Sequence, residues 1–168
     1  MPERDILQAA NEVYADSFTK GDLPMPPGRQ LAIVTCMDAR LDPARCLGLE
    51  EGDAHVIRNA GGLVTEDALR SLIISHWLLG TQEFAVVAHT DCGMLTFSND
   101  DIHAKLHDGT GEDAADIDFR PFSDLEDSVR ASVQTIRDSP LLPDSIEVSG
   151  WVYDVRCGRI NEVVEVAV

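Results

Sequence analysis

The segment "EFAVVAH" at residues 83–89 is apolar without the every-second-residue alternation of a half-exposed strand. Such a strand is buried on both faces, and two-faced burial is the habit of a parallel sheet. An earlier apolar run, "LAIVT", lies in a strand expected over residues 30–35, and "AHVIRN" at 54–59 reads as another. Between these and residue 83 stands "EDALRSLIISHWLLG", with Thr65 as its cap, Leu69, Leu72, Ile73, Trp77 and Leu78 as its apolar face, and Gly80 as its stop. Strand, helix, strand in that order predicts a right-handed crossover and a parallel sheet.

The rest of the chain fits around that unit. Ile6, Ala10, Val13 and Phe18 recur at helical spacing, and the prolines of "KGDLPMPPGR" end that first helix. "ARCLGL" reads as a short helical piece, and "NDDIHAKLH" as a short helix followed by an acidic loop. "SDLE" at Ser123 reads as a capping box for a helix carrying Leu125, Val129, Val133 and Ile136. The tail "IEVSGWVYDV" turns at "RCGR" into "INEVVEV" as a hairpin. The predicted fold class is α/β: a central, mostly parallel sheet flanked by helices, with the C-terminal hairpin at its edge. The expected organisation is one domain over residues 1–168, of which 1–28 form a helical arm and proline-rich connector.

Thirty acidic side chains stand against thirteen basic ones, only Lys20 and Lys105 being lysines, for a net charge of −17. A field of that sign repels nucleic acid and anionic membranes, so neither is expected as a partner. No apolar stretch approaches the roughly 20 residues of a membrane span, and the N-terminus has no basic start followed by an apolar block, so a cytoplasmic location is expected. The carboxylate-rich, lysine-poor surface resembles the halophilic habit and suggests a salty cytoplasm. Four cysteines in such a chain are expected as reduced thiols or metal ligands.

Cys36 closes the first apolar run, His89 closes "EFAVVAH", and Cys92 lies in the turn beyond. Ligands bind outside the carboxyl ends of strands in an open parallel sheet. If the two strands are adjacent, the three residues converge, and two thiolates with an imidazole are a donor set that zinc prefers. A structural zinc normally takes four protein ligands, whereas a catalytic one keeps a position for water and lowers its pKa towards about 7. Asp38 can then accept a hydrogen bond from the metal-bound hydroxide. Arg40 can hold that carboxylate off the metal in a bidentate pair.

Cys36-x-Asp38-x-Arg40 and His89-x-x-Cys92-Gly93, with "VIRNAGG" at 56–62 between them, resemble the β-class carbonic anhydrases in motif order from Ala32 to Met94. The resemblance implies zinc on Cys36, His89 and Cys92, and an orienting dyad of Asp38 and Arg40, with Asp38 as fourth ligand in a closed, low-pH state. It implies attack of zinc-bound hydroxide on carbon dioxide to give bicarbonate. It also implies a homodimer with the cleft near the interface and the first helix laid across the partner. The approach "GDLPMPPGRQ" lacks the aromatic residues of larger relatives, so a differently built substrate channel is expected. Some relatives on this scaffold hydrolyse carbonyl sulfide or carbon disulfide at the same metal site, so the motifs specify the nucleophile better than the electrophile.

Two other classes stand beside these. A non-catalytic zinc protein has no use for a held-off carboxylate, and a redox protein lacks its C-x-x-C pair. Gly61 and Gly62 are expected to serve a strand-to-helix turn, and His103 and His107 to be solvent-exposed. Cys46 is expected to pack in the short helix and Cys157 to sit in the hairpin turn, with His55 and His76 as packing residues.

Overall fold

Parallel strands must be joined by crossovers, and the chain alternates accordingly. A computed structural model describes residues 2–164. Its strands are β1 Leu31–Cys36, β2 Ala54–Asn59, β3 Glu83–His89, β4 Glu147–Tyr153 and β5 Ile160–Val164. They form one sheet in the order β2-β1-β3-β4-β5, with the first four parallel and β5 antiparallel at the edge. The helices are α1 Glu3–Asp16, α2 Pro43–Leu47, α3 Glu66–Leu79, α4 Asn99–Thr110 and α5 Leu125–Arg137. The predicted mostly parallel sheet with an edge hairpin is therefore present; the last four residues of the tail lie outside the described residues. Among the described residues no helix is long and apolar enough to cross a membrane.

One face of the sheet carries the main core. Ala32, Val34, Phe84, Val86, Val148 and Val152 pack against Leu72 of α3 and Val129, Val133 and Ile136 of α5. Helix α5 approaches closely because β4 offers Gly150: a Cβ there would stand 2.7 Å from Val129 Cγ1 and 3.1 Å from Val133 Cγ2. On the opposite face Leu31, Ile33, Ala85, Val87 and Trp151 line a groove of about 160 Å³. Helix α1 buries none of its residues. Tyr14 ties it to the turn before β2 through Glu51, and Lys20, in the segment after the helix, stands 3.0 Å from the same carboxylate.

Two local expectations need correction. In α3 the buried residues are Ala68, Leu72 and Ser75, whereas Trp77 and Leu78 are 62% and 76% exposed. The apolar stripe is wider than the strip that the sheet covers. Ser75 is buried because it is satisfied, 2.6 Å from Thr81 Oγ1 and 2.7 Å from His55 Nδ1. His76 Nδ1 lies 2.7 Å from the Thr81 carbonyl, so both histidines fasten the end of α3 as well as packing. The N-cap of α5 is Asp124, whose side chain accepts from Asp127 N at 2.9 Å, and not Ser123. A carboxylate at that point complements the helix dipole better than a hydroxyl. The reciprocal capping box occurs instead at Ser98 and Asp101, opening α4.

Gly150→Ala is expected to destabilise the fold by about 1–3 kcal/mol, because the new methyl overpacks α5 against β4. Urea unfolding measures this, and an unchanged midpoint would mean that the helix can retreat freely.

Candidate metal centre

In the register of β1 with β3, Thr35 pairs with Val87, which leaves Cys36 one residue and His89 two residues beyond that pair at the same edge. The chain leaves β1 under tight control. Met37 N donates to Asn59 O at 2.9 Å. Arg58 on β2 reaches three carbonyls of the departing loop: Nε donates to Cys36 O at 2.9 Å, and Nη2 to Asp38 O at 2.8 Å and Leu41 O at 2.9 Å. Asp42 then caps α2, with Pro43 at its first position. After β3, Thr90 N donates to Tyr153 O at 2.8 Å, and Asp91 turns the chain with a φ of 55° to bring Cys92 back.

Cys36, His89 and Cys92 are 4%, 1% and 3% exposed, and their donor atoms all lie within 4.8 Å of one another. His89 Nδ1 is 2.8 Å from the Thr90 carbonyl, an atom that only accepts, so Nδ1 carries the proton. Nε2 therefore presents its lone pair to the two sulfurs. It is buried without a hydrogen-bond partner, and Asp38 Oδ2 stands 3.7 Å away. A buried, orphaned imidazole nitrogen between two thiols is the kind of defect a metal resolves.

The electrostatics agree. The Cys36 thiol is pulled down to about 4, chiefly by the Cys92 thiol beside it, against burial, with help from His89 and the backbone N–H groups of Asp38 and Gly61. Cys92 is pushed up by the same neighbour and by burial. Two sulfurs in contact thus favour one negative charge between them, and a divalent cation that binds both as thiolates would displace the remaining proton.

Asp38 and Arg40 meet as expected. Arg40 Nε donates to Asp38 Oδ1 at 3.0 Å and Nη2 to Oδ2 at 2.8 Å, while Arg40 N donates to Oδ1 at 2.8 Å. The guanidinium holds the Asp38 carboxyl well below the usual carboxylate range. Around the cluster pack Leu41 and Met94, with Cys46, Phe97, Phe122 and Tyr153 partly buried against them.

Every residue expected at the site is gathered there. His103 and His107 are not: His103 Nε2 lies 2.8 Å from the Ile117 carbonyl and its ring meets Phe119 edge-on, holding the loop after α4. Cys157 is exposed in the hairpin turn. Gly61 and Gly62 form the turn after β2 and also serve the site. A Cβ on Gly62 would stand 2.8 Å from Cys36 N. Arg58 and Asp91 were not singled out from sequence. Arg58 lies within "VIRNAGG", and a basic residue inside a strand that also precedes a glycine turn was the available signal.

The carbonic anhydrase family profile matches residues 31–160. Beta-carbonic anhydrase 1 of Mycobacterium tuberculosis is 47% identical over 97% of this chain and 99% of its own. The crystal structure of carbonic anhydrase from Streptococcus mutans superposes with a TM-score of 0.94 at 48% identity, covering 98% of this chain and 99% of that one. A carbon disulfide hydrolase of Acidithiobacillus thiooxidans is 33% identical over 96% of this chain and 90% of its own.

Arg58→Ala is expected to cost about 2–3 kcal/mol in urea unfolding, because three carbonyls lose a charged donor. A loss below the scatter of the measurement would show that water replaces the guanidinium at no cost.

Proposed function

This chain belongs to the β-class carbonic anhydrases, and we propose that it interconverts carbon dioxide and bicarbonate with a zinc ion held by Cys36, His89 and Cys92. The observation that carries this reading is the orphaned Nε2 of His89 beside two buried thiols, with Asp38 engaged by Arg40 instead of completing the donor set. Zinc in such a set supplies Lewis acidity that brings the pKa of water from about 15.7 towards about 7.

The chain's own residues do the rest. Asp38, kept anionic by Arg40, accepts a hydrogen bond from the attacking water and directs its lone pair at the carbon of carbon dioxide. A carboxylate with so low a proton affinity serves as an acceptor and not as a base. Arg40 restrains Asp38 from swinging towards the three donors. The apolar side chains of Leu41, Met94, Phe97 and Phe122, packed about Cys36 and Cys92, leave the surroundings of the donors poor in groups that hold water, which suits a small substrate without hydrogen-bond donors. Carbon disulfide and carbonyl sulfide meet the same description, and identity to the carbon disulfide hydrolase makes them the second reading.

Purified protein is expected to contain about one zinc per chain, and Cys92→Ser to retain little. Stopped-flow hydration of carbon dioxide should fall by about 100-fold or more in Asp38→Ala with zinc retained, an order typical of a lost positioning group. Equal rates in Asp38→Ala would refute the dyad. Sulfide release from carbon disulfide faster than carbon dioxide hydration would move the assignment to the second reading.

We further propose a homodimer in a cytoplasm of high salt. The support is α1, whose Ile6, Leu7 and Val13 are exposed, with Phe18 just beyond its end, together with the apolar groove on the second face of the sheet. With a net charge of −17, two copies repel unless salt shortens the Debye length to about 3 Å near 1 M. Light scattering in molar KCl is expected to give twice the 18.3 kDa chain mass, with dissociation on dilution into low salt. A monomer in both conditions would defeat the proposal.

A further inference from the structure

Asp91 is the one turn residue between His89 and Cys92 whose side chain points back to the dyad. It holds a φ of 55°, a left-handed conformation that glycine adopts most easily, yet the position carries a carboxylate. Packing does not explain that choice, because the side chain is 68% exposed. Its contacts do. Asp91 Oδ2 accepts from Arg40 Nη1 at 2.7 Å, and the Asp91 carbonyl accepts from Arg40 Nη2 at 2.9 Å. Together with the two bonds to Asp38, these occupy four of the five N–H donors of the guanidinium.

We propose that Asp91 is a positioning residue that engages the Nη1–Nη2 end of the Arg40 guanidinium while Asp38 holds its Nε–Nη2 edge, and so ties the dyad to the turn carrying His89 and Cys92. Arg40 and Asp38 alone are two residues apart on one loop and could swing together as a pair. A carboxylate and a carbonyl from the other motif remove that freedom, and they leave the guanidinium plane with one orientation. Exposed ion pairs are usually weak because both side chains must be ordered. Here Asp38 has already ordered Arg40, so Asp91 restrains a group with little freedom left to lose. Conversely, Asp91 retains Arg40 whenever Asp38 lets go, so the carboxylate has a fixed partner to return to.

The inference rests on the reading of Asp38 and Arg40 as the orienting dyad, and the test separates the two. Asp91→Gly suits the experiment because glycine relieves the left-handed backbone, so the variant is not expected to lose fold stability. Wild type, Asp91→Gly and Asp91→Glu are compared by water exchange of the Arg40 Nη–H signals in ¹⁵N NMR, by the kcat and KM of carbon dioxide hydration, and by melting temperature. The expected result for Asp91→Gly is Nη–H exchange at least 3-fold faster and kcat about 3–10-fold lower, with KM and the melting temperature unchanged. Asp91→Glu should recover part of both. Unchanged exchange overturns the proposal, as does faster exchange with full kcat, since the contact would then serve nothing at the dyad. A wild-type protein inactive on carbon dioxide sinks the functional reading instead, and Nη–H exchange alone then decides whether Asp91 fixes Arg40.

Discussion

Two parallel strands hydrogen-bonded side by side finish at the same edge of their sheet, and the pairing of β1 with β3 is the constraint on which this molecule depends. It places a thiol and an imidazole from residues more than fifty positions apart within reach of one another. Slipping the register by one residue would turn every β1 side chain to the other face, dismantling the core beneath α3 and α5 as well as the cluster. The same pairing therefore specifies packing and chemistry together. Its fidelity is reinforced by Thr35, whose Oγ1 donates to Val87 O at 2.6 Å inside the sheet.

Around that edge the chain solves a problem of charge. Sulfurs, a carboxylate and an imidazole crowd one crevice in a protein already heavily anionic. Arg58 supplies a guanidinium from β2 to the carbonyls of the Cys36 loop, and Arg40 supplies another to Asp38 and Asp91. Two of the thirteen basic residues are thus placed where backbone and side-chain acceptors converge.

Much of this was readable from residue order. The strands were legible because an unalternating run such as "EFAVVAH" has few other folds open to it, and Cys36, His89 and Cys92 because they sit where such runs stop. Asp38 and Arg40 were legible through spacing. Arg58 and Asp91 were not, since one acts through carbonyls that any sequence possesses and the other through a contact with Arg40 that only the folded turn creates. Trp77 and Leu78 misled because a helical stripe tells which residues share a face but not how much of it the sheet covers. The cap of α5 falls on Asp124, one residue past the expected Ser123, because the path of the chain sets where the helix opens.

The hydrogen bond from His89 Nδ1 to the Thr90 carbonyl reaches beyond the ring itself. It commits the imidazole to one tautomer using an acceptor only one residue along the chain, so that choice is made as the strand ends and needs no ion to impose it. The larger apolar cluster contains none of the three donors. The bulk of the packing therefore lies apart from the donors, although one strand pairing sets the position of both.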